Sequence, residues 1–185
     1  ILDEVFVYGS FVQNKMYHSG VGCLDCHQPH SVKLKAVCNQ LCVGCHSSEL
    51  FDTPTHHQHG MEGALSTAKN DQAQGTQCID CHMPGRLYMG NDYRRDHSFR
   101  IPRPDLSVDH GTPNACNDCH SKESAEWAAA KIAEWFGPER PAHFSEILTA
   151  AASQPNDSVE PLVSLLKDLS QPAIARATAA SLLAP

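Results

Sequence analysis

The stretch Gly20-Val21-Gly22-Cys23-Leu24-Asp25-Cys26-His27-Gln28-Pro29-His30 holds two cysteines separated by two residues, a histidine directly after them and another three positions on. The same pentapeptide pattern returns as Cys42-Val43-Gly44-Cys45-His46, Cys78-Ile79-Asp80-Cys81-His82 and Cys116-Asn117-Asp118-Cys119-His120. Of the nine cysteines, Cys38 alone stands outside it.

Four chemistries use closely paired cysteines. A zinc site pairs one CxxC with a second pair of ligands some way off, and its geometry does not demand a histidine after every second cysteine. A thioredoxin-like dithiol needs one CxxC beside a βαβ pattern, and none is visible. Disulfides need no fixed pentapeptide. Covalent c-type haem uses every position: two thiols reach the two vinyl groups of one porphyrin edge, and the next residue places an imidazole under the iron. The expectation is four haems, on Cys23/Cys26, Cys42/Cys45, Cys78/Cys81 and Cys116/Cys119, with His27, His46, His82 and His120 as proximal ligands. Cys38 reads as a free thiol, with a disulfide to another chain as the alternative.

Composition agrees with an unusual core. Only 6% of the 185 residues are aromatic, while nine cysteines and twelve histidines are present. Something other than side chains is expected to fill the interior, and removing haem is expected to unfold it. The net charge of -7 gives no sign of a nucleic-acid or anionic-membrane partner. No apolar run reaches the length of a membrane span. The start Ile1-Leu2-Asp3-Glu4 reads as a processed protein, or as a piece whose upstream part is missing.

The sixth ligand of each iron decides what the iron can do: a second strong ligand makes an electron carrier, and an open position admits substrate. Outside the motifs lie His18, His30, His56, His57, His59, His97, His110 and His143, enough for four bis-histidine irons. His30 is too near His27 to cap the same haem, so it and His18 are expected to cap neighbouring ones. "HHQHG" at 56–60 is expected to give one or two ligands, with His56 and His59 the candidates. His97 leads the distal candidates, His110 follows, and His143 reads as an ordinary surface or interface residue. Met61, Met83 and Met89 read as packing rather than ligands. Arg94, Arg95, Arg100 and Arg103 surround His97; guanidinium forks suit carboxylates, so they are candidates for haem propionates.

"KMYHSGVGCLDCHQPHSVKLK", "TPTHHQHG", "CIDCHMPGRLYMG", "RRDHSFRIPRPDLS" and "PNACNDCHSKESAEWAA" resemble a family of multihaem cytochromes c whose haem-rich region is joined to C-terminal TPR- or HEAT-type helical repeats. The resemblance covers residues 4–136 closely and the tail more loosely. Cys78–Pro84, His97 and Cys116–His120 also resemble part of the ammonia-forming cytochrome c nitrite reductases and their hydroxylamine-oxidising relatives. There the histidine after the "CHMP" segment is a distal ligand, which implies that role for His97. Those reductases carry their catalytic haem on a motif ending in Lys, whereas all four motifs here end in His.

Together these readings predict a mostly α chain with much irregular structure: a haem-packed cytochrome region over 1–120, then a helical tail over 121–185. Val5–Tyr8 reads as a short extended piece. In the tail, helices are expected after Ser121, ending at Gly137-Pro138; over Ala142–Ala152; through Val159–Leu169; and from Pro172 onward with Ile174, Ala177, Leu182 and Leu183 inward. The last two read as a HEAT-type hairpin without chemistry. The expected function is electron transfer by a tetrahaem cytochrome, a carrier rather than an enzyme, in the periplasm or at the cell surface, with redox proteins as partners. The alternatives are the relay part of a larger nitrite- or hydroxylamine-type oxidoreductase, and a subunit of an extracellular cytochrome filament.

Overall fold

A computed structural model gives the structure of the chain and describes residues 7–60, 75–88 and 90–184. These residues are mostly helical. Short helices come first: α1 (Val7–Phe11), α2 (Lys15–His18), α3 (Cys23–Cys26), α4 (Gln40–Val43), α5 (Ser48–Phe51), α6 (Pro54–His57) and α7 (Cys78–His82). The antiparallel strands β1 (Gly85–Tyr88) and β2 (Asp92–Arg95) follow, in the register Gly85↔Arg95 to Tyr88↔Asp92. Then come α8 (Pro104–His110), α9 (Ala115–Cys119), α10 (Ala125–Phe136), α11 (Phe144–Ser153), a 3-10 turn at Pro155–Asp157, α12 (Val159–Lys167) and α13 (Ala173–Leu183).

The first, third and fourth CxxCH motifs each fold as a single helical turn, and the second begins in the last residues of α4 and continues through a turn. The histidine N–H bonds to the carbonyl of the first cysteine in three of them: His27 to Cys23 at 2.9 Å, His46 to Cys42 at 3.0 Å and His120 to Cys116 at 2.8 Å. Residues i and i+3 share a helix face, so this turn sets both thiols on one side. Local side chains close the turns: Asp25 accepts from the Gly22 N–H at 2.7 Å, and Asn114 from the Asn117 N–H at 3.1 Å.

The chain divides into two compact units, one ending at Phe136 and the other beginning at Gly137. Sequence reading puts the division at 120, but α10 packs on α8 and α9. It also brings Trp127 to 4.9 Å from the ring of His120 and Phe136 to 6.2 Å from that of His56. The helix therefore belongs to the motif-bearing unit.

That unit buries very little of its own apolar surface. Among its described residues the buried hydrophobic side chains are Phe11, Leu106 and Ala128, while Leu24, Val32, Leu34, Val37, Leu50, Phe51, Leu87 and Ile101 are exposed. Val5 and Phe6 lie outside the described residues. Val7 and Tyr8 are helical rather than extended, with Ser10 and Gln13 side chains donating to the carbonyls of Val7 and Gly9. The helix brings Phe11 against Tyr17 and Phe99. Ahead of His97, β2 turns back along β1 and the Asp96 N–H bonds to the Pro84 carbonyl at 3.0 Å. The hairpin thus returns the chain from the third motif to His97.

The second unit has an ordinary core of Ala151, Leu162, Leu165 and Ala179, flanked by Phe144, Ile147, Leu148, Leu166 and Leu183. In α13 the buried face is Ala175 and Ala179, whereas Ile174 and Leu182, expected inward, are exposed. Small alanines let α13 lie close against α12, and the Arg176 Nε donates to the Leu166 carbonyl at 2.9 Å. His143 caps α11: its Nδ1 accepts from the Ser145 N–H at 3.2 Å, and its own N–H donates to Glu146 at 3.1 Å.

Leu162 is 1% exposed. Leu162→Ala is expected to destabilise the second unit by about 2–5 kcal/mol and to leave the stability of the first unit unchanged, as read by chemical denaturation.

Candidate functional site

Three of the four motif histidines face a second imidazole from a distant part of the chain. His27 faces His97 at a ring-centre distance of 6.4 Å with 25° between planes. His82 faces His56 at 6.2 Å and 15°. His120 faces His59 at 6.1 Å and 36°. These distances are too long for contact stacking and match another geometry. An iron–nitrogen bond of about 2 Å, plus about 1.1 Å from that nitrogen to the ring centre, puts two imidazoles on opposite sides of one iron about 6.2 Å apart.

Four of the six rings are held so that Nε2 is the free nitrogen. A carbonyl cannot donate, so an Nδ1 bonded to one carries the proton and leaves Nε2 with its lone pair. The His27 Nδ1 donates to the Val32 carbonyl and the His82 Nδ1 to the Arg100 carbonyl, each at 2.8 Å. The His97 Nδ1 donates to the Arg95 carbonyl at 2.9 Å, and the His59 Nδ1 to the His57 carbonyl. Burial, then the neighbouring His82, lowers the pKa of His56 and favours the neutral ring that a metal requires.

Several residues that sequence reading passed over fix these rings. Gln58, in the left-handed conformation at φ 58, ends α6 and separates His59 from His56. Gly75, at φ 69, lies against the His59 imidazole so closely that a Cβ there would collide with the ring. Buried Asn14 donates to the His97 carbonyl at 3.0 Å, and Phe99 packs edge-on against the His97 ring. None of these belongs to a motif, so nothing in the linear pattern singles them out.

The remaining histidines behave differently. His18 and His30 are exposed, and among the described residues neither ring meets a motif imidazole. The His57 Nδ1 accepts from the His59 N–H at 3.2 Å, which leaves Nε2 protonated and buried, without a partner among the described residues. The His110 Nε2 is likewise buried without a partner among the described residues. His46 meets the edge of Phe51 at 6.0 Å and no second imidazole among the described residues. Met61 and Met89 lie outside the described residues; Met83 ends α7, and its carbonyl accepts from Arg95 at 3.2 Å.

The cysteines form a chain of neighbours in sequence order. Burial raises the pKa of Cys26, and Cys42 and Cys45 of the second motif add to it. The Cys42 and Cys78 thiols share a hydrogen bond, which holds the Cys42 thiolate down to about 7 and pushes Cys78 up. Burial, then Cys116, pushes Cys81 up to about 11. The lowered thiol owes its shift to a different motif, not to its own CxxC partner, unlike the activated thiol of a redox dithiol. Cys38 is exposed and left-handed at φ 51.

Among the described residues no three His, Cys, Asp or Glu side chains converge as ligands of one ion. A zinc site takes its four donors from the protein, whereas a haem iron draws four nitrogens from the porphyrin and needs only the axial pair. The pairs, the thiols sharing one face of each motif turn and the uncovered apolar side chains all fit haem c.

The arginines expected at propionates are engaged by the chain itself. Arg94 pairs with Asp92 at 2.6 Å, Arg95 donates to the Ile79 and Met83 carbonyls at 3.2 Å, and Arg100 pairs with Asp96 at 3.2 Å. Each finds an acceptor within its own loop or the adjoining motif. The chain matches no protein-family model, no curated protein and no solved structure.

Arg103 grips Asp105 with a fork, its Nη2 2.6 Å and its Nε 2.9 Å from Oδ2. That hydrogen bond holds the Asp105 carboxyl below its ordinary value. A depressed carboxyl stabilises the fold above its unfolded pKa of about 3.9 and loses that contribution as pH falls through the native value. Arg103→Gln is therefore expected to lower the denaturation midpoint at neutral pH, with the difference from wild type shrinking once the pH drops below the carboxylate range.

Proposed function

We propose that this chain is an electron-transfer module that carries four covalently attached c-type haems. The observation that carries the reading is the pairing of His27 with His97, His82 with His56 and His120 with His59, each near 6.2 Å. When bound, such an iron cycles between ferric and ferrous states with both axial positions filled. The chain's own residues do the rest. Cys23/Cys26, Cys42/Cys45, Cys78/Cys81 and Cys116/Cys119 anchor the groups. The Nδ1–carbonyl bonds orient the rings, and Trp127, Phe51 and Phe136 wall them in. The buried His57 N–H supplies a donor for a propionate. The neighbouring cysteines of successive motifs favour a relay in sequence order, which suits a carrier between redox proteins. Because haem is attached outside the cytoplasm, the periplasm or the cell surface is the proposed location. The tail is proposed as a HEAT-type docking hairpin.

His97→Ala, His56→Ala and His59→Ala are each expected to turn one iron in four from low to high spin in the ferric spectrum, with all four haems retained. Gly75→Ala, by displacing the His59 ring, is expected to act like His59→Ala, and His143→Ala to leave the ferric spectrum unchanged. Spectra unchanged by His97→Ala would contradict the pairing.

One observation favours a second reading, the relay portion of a larger oxidoreductase. His46 has no facing imidazole among the described residues, so the second motif is where a small ligand, or a donor from elsewhere, can reach the iron. Carbon monoxide is expected to bind the reduced protein at one iron per chain; binding at none would remove this reading and leave the first intact.

A further inference from the structure

Asn39 sits three residues before Cys42, outside every motif, and its side chain is fully used. Its Nδ2 donates to Asp52 Oδ1 at 2.6 Å and to the Thr76 carbonyl at 2.9 Å, and its Oδ1 accepts from the Cys78 N–H at 2.8 Å. Its own carbonyl accepts from the N–H groups of Cys42 and Val43, both at 2.9 Å. Thr76 is buried at 4% exposure, which places one end of this network away from water.

The four ends have a common meaning. The Asn39 backbone starts the turn of the second motif, and Cys78 starts the turn of the third. Asp52 closes α5 and leads into α6, the arm that carries His56 to His82. A single amide therefore ties together the second motif, the third motif and the segment that brings in the third motif's distal ring. Beside it the Cys42 and Cys78 thiols touch through a hydrogen bond. Once joined to porphyrin these sulfurs become thioethers, which cannot donate to one another, so that contact gives way. The Asn39 bonds involve no group that haem attachment consumes, and they remain.

We propose that Asn39 is a positioning residue that sets the junction between the second and third haems, and so governs the rate at which an electron crosses the middle of the relay. This rests on the tetrahaem reading. Asparagine is suited to the place because it offers two donors and an acceptor on one short planar group. An aspartate there keeps the acceptor for Cys78, loses both donors and sets a second carboxylate against Asp52. Leucine fills the space and satisfies none of the partners, leaving the Cys78 N–H unpaired.

The test compares the haem-loaded full chain with Asn39→Asp, Asn39→Leu and the double variant Asn39→Asp/Asp52→Asn. In the double variant donor and acceptor exchange places across the 39–52 bond. Haem content, ferric spin state and the rate of internal electron equilibration after pulsed reduction are read for each. The expected result is four haems and unchanged axial ligation throughout. Equilibration should slow by about tenfold in both single variants and return most of the way to the wild-type rate in the double variant. Wild-type rates in Asn39→Asp and Asn39→Leu would overturn the proposal. So would loss of haem from the single variants that the double variant does not restore, because Asn39 would then serve folding rather than spacing. A wild-type chain without haem would defeat the tetrahaem reading itself, a separate outcome seen before any variant is made.

Discussion

In the proposed tetrahaem reading, the length of an iron–nitrogen bond fixes how far apart two axial imidazoles stand, and that one distance is what the motif-bearing unit answers to. Three pairs of rings meet it within a few tenths of an ångström, although their members lie far apart in sequence. The β-hairpin exists in service of it, since it returns the chain from the third motif to His97. The Asn14 bond and the Phe11–Phe99 contact hold that loop from the other side. The left-handed turn at Gln58 splits one short histidine cluster between two different partners.

The same constraint explains why the two units are built so differently. The second unit follows the ordinary rule for helices: leucines and alanines on facing stripes close a core without help. The first cannot, because apart from α10 its helices are one or two turns long and such helices are marginal without tertiary support. Many of its apolar side chains lie uncovered. A large, flat, apolar group between the imidazoles would cover them, and its burial would supply the driving force that the polypeptide lacks.

Much of this was legible in the linear pattern, and what was not has physical reasons. The CxxCH turn is local, so its helix and its shared cysteine face follow from four consecutive residues. His97, His56 and His59 stood out as candidates, but the sequence has no means of matching them to motifs, since each pairing closes a long loop. His18 and His30 look equally suitable by their nearness to the first motif, yet both are exposed. The arginines around His97 have the right chemistry for propionates, and the structure adds the local acceptors that orient them. The division at 120 followed a change in composition; α10 crosses it because Trp127 and Phe136 are walls for histidine rings, a role that resembles core packing in any helical pattern. Asn39 and Gly75 gave no signal, because a hydrogen-bond hub and a close ring contact exist only in three dimensions.

Mass measurement of the intact, purified chain, combined with its iron content, tests the central claim most directly. The account predicts a mass above that of the polypeptide by four porphyrins, with one iron for each and no zinc. A mass equal to the bare polypeptide, or zinc in place of iron, would contradict it.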